Sequence, residues 1–243
     1  EKTIVEGNYL SAKHTNTKLQ QNLIEKEKSL LTFKNNFVSL FTHELKTPLN
    51  AIINFSDFIK RTLEKNNLNE KSLQKIHDLA IKIHNNGLRQ QLIIDNLLDF
   101  AKIESGRLEV HKKYFLLFSI IEPIIQQFQG LYNKEVLFDI PNDTYVYGDP
   151  KICGMIFSNL YSNALKYSKS KVKITFTKYE DDFSLSIEDD GDGILNENKK
   201  KVFEYFGQSN QGNVLNMETT GSGIGLYTVK LLADICDKKI ILE

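Results

Sequence analysis

The sequence predicts an α domain followed by an α/β domain. The first is a two-helix hairpin that pairs with a copy of itself into a dimeric four-helix bundle, and the second is a sandwich of helices on a mixed sheet. Three observations lead there. Only Gly7 and Gly87 fall in the first 105 residues, whereas seven glycines crowd the 35 residues from Gly191 to Gly225. The first 120 residues contain a single proline, Pro48. Apolar residues recur at helical spacing up to about residue 104, then switch to short alternating segments.

Composition sets the outer limits. The 243 residues are 41% hydrophobic and 26% charged, enough to bury one large core or two smaller ones. Thirty-one basic side chains balance 31 acidic ones, and the division into 1–104 and 105–243 gives only +3 and −3. No bulk field recruits nucleic acid or an anionic membrane. Cys153 and Cys236 supply neither a disulfide framework nor a zinc site, which points to a reducing compartment. No apolar run approaches 18 residues, so no membrane contact is expected within this segment.

The first helix is read from Leu19, Leu23, Leu30, Phe33, Phe37 and Leu40. As heptads, Leu30, Phe37, Glu44 and Ala51 take position a, and Phe33, Leu40 and Thr47 take d. The second is read from Leu73, Ile76, Ala80, Ile83, Ile94, Leu97 and Ala101. Polar residues 64–70 form the turn between them. Two helices enclose no core, which is why the hairpin is expected to dimerise.

The seam is interrupted at Phe41-Thr-His-Glu-Leu-Lys-Thr-Pro-Leu-Asn50. Pro48 removes a backbone donor inside the helical pattern and should kink or loosen the preceding turn. His43 takes position g, so its imidazole should face solvent. An isolated His-Glu pair on a kinked helix would be an ordinary surface feature. The whole string from Phe37 to Ile52, however, strongly resembles the phosphoacceptor box of sensor histidine kinases, whose histidine is phosphorylated. That resemblance implies His43 as acceptor and Thr47 as part of an E-x-x-T pattern that positions water for dephosphorylating a partner. The chemistry suits the residues: a neutral imidazole nitrogen can attack a phosphoryl group if the other nitrogen is held as a donor, and Glu44 can accept that second N–H. His77 and His84 lie seven apart and lack an i,i+4 partner, so packing or surface placement is expected for them.

After Gly106, Leu116–Phe128 reads as an amphipathic helix and Val136–Ile140, Lys171–Tyr179 and Phe183–Glu188 as strands. Ile152–Tyr167 reads as a helix opened by Asp149-Pro150, a cap and a first-turn proline. Four motifs border these elements. Asn159 and Asn163 share a helix face, with Lys166 and Tyr167 in the next turn; amide oxygens can hold Mg²⁺, an ammonium can meet phosphate, and a phenol ring can cover a base. Taken alone, a polar helix face explains them equally well. Ile187-Glu-Asp-Asp-Gly-Asp-Gly-Ile194 leaves a strand into a loop. Phe203 and Phe206 form an aromatic pair, which at this spacing is usually core. Gly221-Ser-Gly-Ile-Gly-Leu226 opens a helix running to about Asp234, offering backbone N–H groups to phosphate.

In this order, preceded by the histidine box, these resemble the N, G1, F and G2 boxes of the Bergerat-type ATP-binding domain of histidine kinases, over roughly residues 35–243. The resemblance implies ATP and Mg²⁺ as cofactors. It makes Asn163 the metal ligand with Asn159 beside it, Lys166 a phosphate contact, Tyr167 a nucleotide-packing residue and Asp189 the reader of the adenine amine. Gly191, Gly193, Gly221, Gly223 and Gly225 become edges and hinges of an ATP lid spanning about 207–220, with Phe206 and Leu226 in the cofactor-binding set. Implied partners are a second copy of the chain and a response-regulator receiver domain whose aspartate takes the phosphoryl group. The implied division is a coiled-coil stalk over 1–34, a phosphotransfer hairpin over 35–107 and a catalytic domain over 108–243.

Two departures bear on this. Asp190 stands where the family often has Asn, placing negative charge near the nucleotide; this supports a rival reading as a degenerate signalling scaffold. The chain stops at Glu243 where the family continues through another hairpin, so it is expected to be cut from a longer protein, possessing a sheet edge without its neighbour. The segment is expected to be cytoplasmic, with any membrane anchor in preceding residues. A third reading, an ATPase of the gyrase, Hsp90 and MutL kind, lacks a place for the histidine hairpin.

Overall fold

The computed structural model describes residues 2–64, 68–128, 131–180, 182–204 and 224–243. The chain divides into two compact units, Glu1–Thr47 and Pro48–Glu243.

The described residues of the first unit are helical, as part of α1 (Lys2–Leu63). Its apolar stripe is clearest near the end. Phe41 is buried, Phe37 and Leu40 are half-buried, and the rings of Phe37 and Phe41 lie 4.7 Å apart. Leu19, Leu23, Ile24, Leu31 and Val38 stay exposed in the single chain. Pro48 does not end α1, which is assigned as one helix through it. Its ring still removes one backbone donor from the helix.

The second unit begins with the remainder of α1 and α2 (Glu70–Glu104). Asn69 caps α2, its Oδ1 accepting from the Ser72 N–H and hydroxyl, each at 2.9 Å. The helix ends in a Schellman turn. Gly106 adopts φ +64°, and the N–H groups of Gly106 and Arg107 reach back to the carbonyls of Ile103 and Lys102. This is the local reason that the helical pattern stops where the glycines begin. Between the two helices, the ammonium groups of Lys75 and Lys82 lie over the rings of Phe58 and Phe55, 4.3 and 5.8 Å from their centroids.

The remainder is α/β. β1 (Lys113–Leu116) pairs antiparallel with β3 (Tyr145–Gly148). A second sheet has the order β2-β4-β5, with β2 (Glu135–Asp139) parallel to β4 (Lys171–Lys178) and β4 antiparallel to β5 (Phe183–Asp189). The expected mixed sheet is present, within a residue or two of its expected strand ends. The four-residue strands β1 and β3 were not expected, since each is too short to display a period.

α3 (Leu117–Phe128) and α4 (Pro150–Tyr167) pack with the sheet around a core of Leu117, Ile121, Phe157, Tyr161, Val172 and Ile174. Tyr161 stacks on Phe157 at 5.4 Å and meets Phe128 edge-on at 5.6 Å. A smaller cluster joins Ile103 of α2 to Ile152, Met155 and Leu232, the last on α5 (Gly225–Ile235). A 3₁₀ turn covers Lys201–Phe203. No helix among the described residues is long and apolar enough to cross a membrane. Residues 240–243 form no strand, so the expected open edge involves no strand of their own.

α4 carries most of the site, and its start is secured by one carboxylate. Asp149 is buried; its Oδ1 accepts from the N–H groups of Lys151 and Ile152 at 2.9 and 3.1 Å, and its Oδ2 from His111 N–H. Burial alone would raise this carboxyl's pKa, but the three backbone donors outweigh it and hold the group below the usual range. Because the folded-state pKa is depressed, the stabilisation is complete above the ordinary carboxylate range and is lost as pH falls through the folded value. Replacing Asp149 with Ala should cost about 2 kcal/mol in urea unfolding at neutral pH. The difference between wild type and variant should shrink in acid.

Candidate functional site

The histidine turn lies on α1 in the first unit. The His43 side chain is exposed, as position g requires; Glu44 at a is half-buried, and Thr47, at d, is exposed in the single chain. Thr47 donates its hydroxyl to the His43 carbonyl at 3.1 Å. The His43 imidazole is therefore exposed on a turn tied by the Thr47 hydroxyl.

The second group of residues is gathered by α4, the loop after β5 and the start of α5. Asn159 is buried in α4, and its Nδ2 donates to the Met155 carbonyl at 2.9 Å. That bond fixes the amide and turns Oδ1 toward α5, where a Cβ built on Gly225 would lie 3.0 Å from it. The same imagined atom is 3.8 Å from Nδ2 of Asn163. Glycine at 225 thus leaves a small cradle lined by two amide groups at a helix N-terminus. Leu226 follows in the first turn of α5 and is half-buried.

One turn beyond Asn163, the Lys166 ammonium lies 4.9 Å from the centre of the exposed Tyr167 ring. Asp189 ends β5 exposed, and its Oδ1 accepts the Gly191 N–H at 2.9 Å. Gly191 passes so close to α4 that a Cβ there would lie 2.6 Å from the Tyr167 carbonyl oxygen. Gly193 adopts φ +70°, the left-handed region that favours glycine. Lys169 and Asp192 form an ion pair at the rim. The structure therefore brings Asn159, Asn163, Lys166, Tyr167, Asp189, Gly191 and Gly225 to one place from three elements. Phe206, Gly221 and Gly223 lie outside the described residues.

Asp190 departs from expectation. Its carboxylate is not directed to a ligand: Oδ1 accepts from the N–H groups of Lys169, Ser170 and Lys171 at 2.8, 2.9 and 3.0 Å, and Oδ2 from Ser170. The charge belongs to the α4–β4 turn, which removes the main support for a degenerate site. Lys134, which lies in no motif, bonds that same turn through its ammonium. No local signal marks it, because its partners are more than 30 residues away.

The donor set suits a hard cation held through oxygen. Asn159 Oδ1 faces the Gly225 cradle, and among the described residues no cluster of three His, Cys, Asp or Glu side chains competes as a softer or purely carboxylate site. Mg²⁺ takes few protein oxygens and completes its shell with water or phosphate, so the Asn159 oxygen fits it, whereas Asn163 presents Nδ2 and offers an oxygen only once its amide is turned.

Helix α1, with its exposed histidine, thus precedes an α/β domain in which two α4 amides meet the glycine start of α5. Residues 33–106 match the His Kinase A (phospho-acceptor) domain, and residues 148–242 match the histidine kinase-, DNA gyrase B- and HSP90-like ATPase domain. The sensor histidine kinase YkoH of Bacillus subtilis is 31% identical over 200 residues, covering 82% of this chain and 42% of that protein. The autoinducer 2 sensor kinase/phosphatase LuxQ of Vibrio vulnificus is 26% identical over 231 residues, covering 90% of this chain and 26% of its own. The chain thus spans less than half the length of these relatives. It belongs to the sensor histidine kinases of two-component systems.

Proposed function

We propose that this chain is the kinase core of a two-component sensor: ATP phosphorylates His43, and the phosphoryl group then passes to an aspartate of a response-regulator receiver domain. The observation that carries the proposal is the exposed His43 imidazole within the acceptor box, on a chain that also holds the ATPase domain.

One imidazole nitrogen forms the bond to the γ-phosphorus as the bond to the ADP oxygen breaks, and the proton on the other nitrogen passes toward a carboxylate acceptor, the role assigned to Glu44. Lys166 meets the phosphates, Tyr167 covers the base, and Asp189 accepts from the adenine amine with the oxygen that Gly191 leaves free. Asn163, its amide turned to present Oδ1, and Asn159 beside it would hold Mg²⁺, which would supply charge neutralisation at the phosphates. Positioning and electrostatics then provide most of the rate. Thr47 orients water in the reverse reaction, removal of phosphate from the regulator.

A second copy of the chain completes the bundle. Leu49, Ile53, Leu73, Ile81, Ile94 and Leu98 remain exposed in one chain, more apolar surface along a hairpin than solvent exposure explains.

Incubation with γ-labelled ATP and Mg²⁺ should give labelled protein whose label is lost in acid and survives base, the signature of a phosphoramidate. Phosphate release without any labelled protein would sink the proposal in favour of a simple ATPase.

A further inference from the structure

We infer that Lys134, outside every motif, is a positioning residue for the nucleotide site, acting with Asp190 as a two-sided clamp on the turn at residues 168–170. The inference rests on the nucleotide reading above and deepens it. Lys134 touches no reacting group; it acts through the turn.

The bonds come from both flanks. From the β2 side, Lys134 Nζ donates to the carbonyls of Ser168 at 2.7 Å and Lys169 at 2.8 Å, and the Glu135 N–H donates to the carbonyl of Ser170 at 2.9 Å. From the β5 side, Asp190 accepts the N–H groups of Lys169, Ser170 and Lys171 and the Ser170 hydroxyl. Three consecutive carbonyls are thus satisfied by one neighbour and three consecutive N–H groups by the other. The sheet order explains this: β4 lies between β2 and β5, so the turn entering β4 passes between the two strand ends.

The chemistry favours permanence. Lys134 is a cation just beyond the C-terminal end of α4, where the helix dipole is negative. The Asp190 carboxyl is held far below the usual range by the Ser170 hydroxyl and the turn's N–H groups, so it stays ionised throughout the neutral range.

The turn begins immediately after Lys166 and Tyr167, and the Tyr167 carbonyl is the atom against which Gly191 rests. Displacing the turn therefore moves the phosphate contact, the base cover and the Asp189 loop together. Asp190→Asn should be tolerated, because Oδ1 keeps its three N–H bonds and the Ser170 hydroxyl can turn to accept from the new amide.

The test measures Mg·ADP affinity by calorimetry, and labelling rate at saturating ATP, on the whole chain. Lys134→Met should raise the Kd for Mg·ADP about tenfold. It should leave the saturated rate within about twofold, a split that general destabilisation does not produce. Lys134→Arg should restore most of the affinity, and Lys178→Met, on an exposed lysine of the same sheet, should change nothing. If Lys134→Met does not fold, Ser170→Ala, which removes only the hydroxyl bond, should still raise Kd about threefold. Wild-type affinity in the folded Lys134→Met protein, or in Ser170→Ala as its substitute, overturns the clamp alone. Absence of nucleotide binding in the wild type overturns the nucleotide reading and the clamp with it.

Discussion

Replacing His43 with Gln is expected to abolish acid-labile labelling from ATP, lowering it by about 10³-fold or more, as loss of a nucleophile does. The size of the effect follows from chemistry: the glutamine amide has a similar polarity and reach but no nitrogen lone pair able to attack phosphorus. The fold should not change. His43 is exposed on a continuous helix, and Gln has the higher helix propensity, so the circular dichroism and unfolding midpoint should match wild type. Affinity for Mg·ADP should also match, because the amide and glycine cradle belongs to the other compact unit. Labelling that survives the substitution would place the acceptor elsewhere, and His77 and His84, both exposed on α2, would be the next residues to change.

Gly191→Ala is expected to be the most damaging single methyl group in the site. Its Cβ would fall 2.6 Å from both the Tyr167 carbonyl oxygen and Asp189 Oδ1, and 3.2 Å from the Tyr167 carbonyl carbon. Backbone on that side is bonded from two flanks, so relief by a small shift is not available. The cost should be about 3 kcal/mol in stability, at the upper end of overpacking. Nucleotide affinity should fall about 100-fold, since Asp189 and Tyr167 are driven apart together. Gly193→Ala offers the contrast. No atom lies within 4 Å of its imagined Cβ, and only its φ of +70° resists substitution, so about 1 kcal/mol is expected. Equal effects at the two positions, read by urea unfolding and calorimetry, would show that the close approach to Tyr167 is not what demands glycine at 191.

The most legible parts of the molecule were those whose signal is local. Asp149-Pro150 announces a helix start by cap and proline chemistry, and α4 begins there. The alternation in Lys171–Tyr179 and Phe183–Glu188 gives β4 and β5 almost to the residue. β1 and β3 escaped because four residues hold two alternations at most, and each depends on the other for its hydrogen bonds. Pro48 was read for what it removes from a helix, whereas the rest of α1 continues through the gap. Asp190 was misjudged for a different reason. Its neighbours in sequence are acidic and glycine-rich, but its bonding partners are 19 to 21 residues earlier, in a turn brought to it by strand pairing.

By itself the sequence marked the long helices, the histidine box and the order of the four motifs that follow it, because period, capping and motif chemistry are properties of neighbouring residues. Only the tertiary structure decided what each charge near the site does. Asp189 is left open to solvent while Asp190, one residue on, is consumed by a turn, and Lys134 acquires its role from carbonyls 34 and 35 residues away. The physical reason is that β5 ends at Asp189, so Asp190 falls beside the turn entering β4 and meets backbone donors that Asp189 does not. Which donors those are is set by the neighbouring strands, and that pairing is not written in any local pattern.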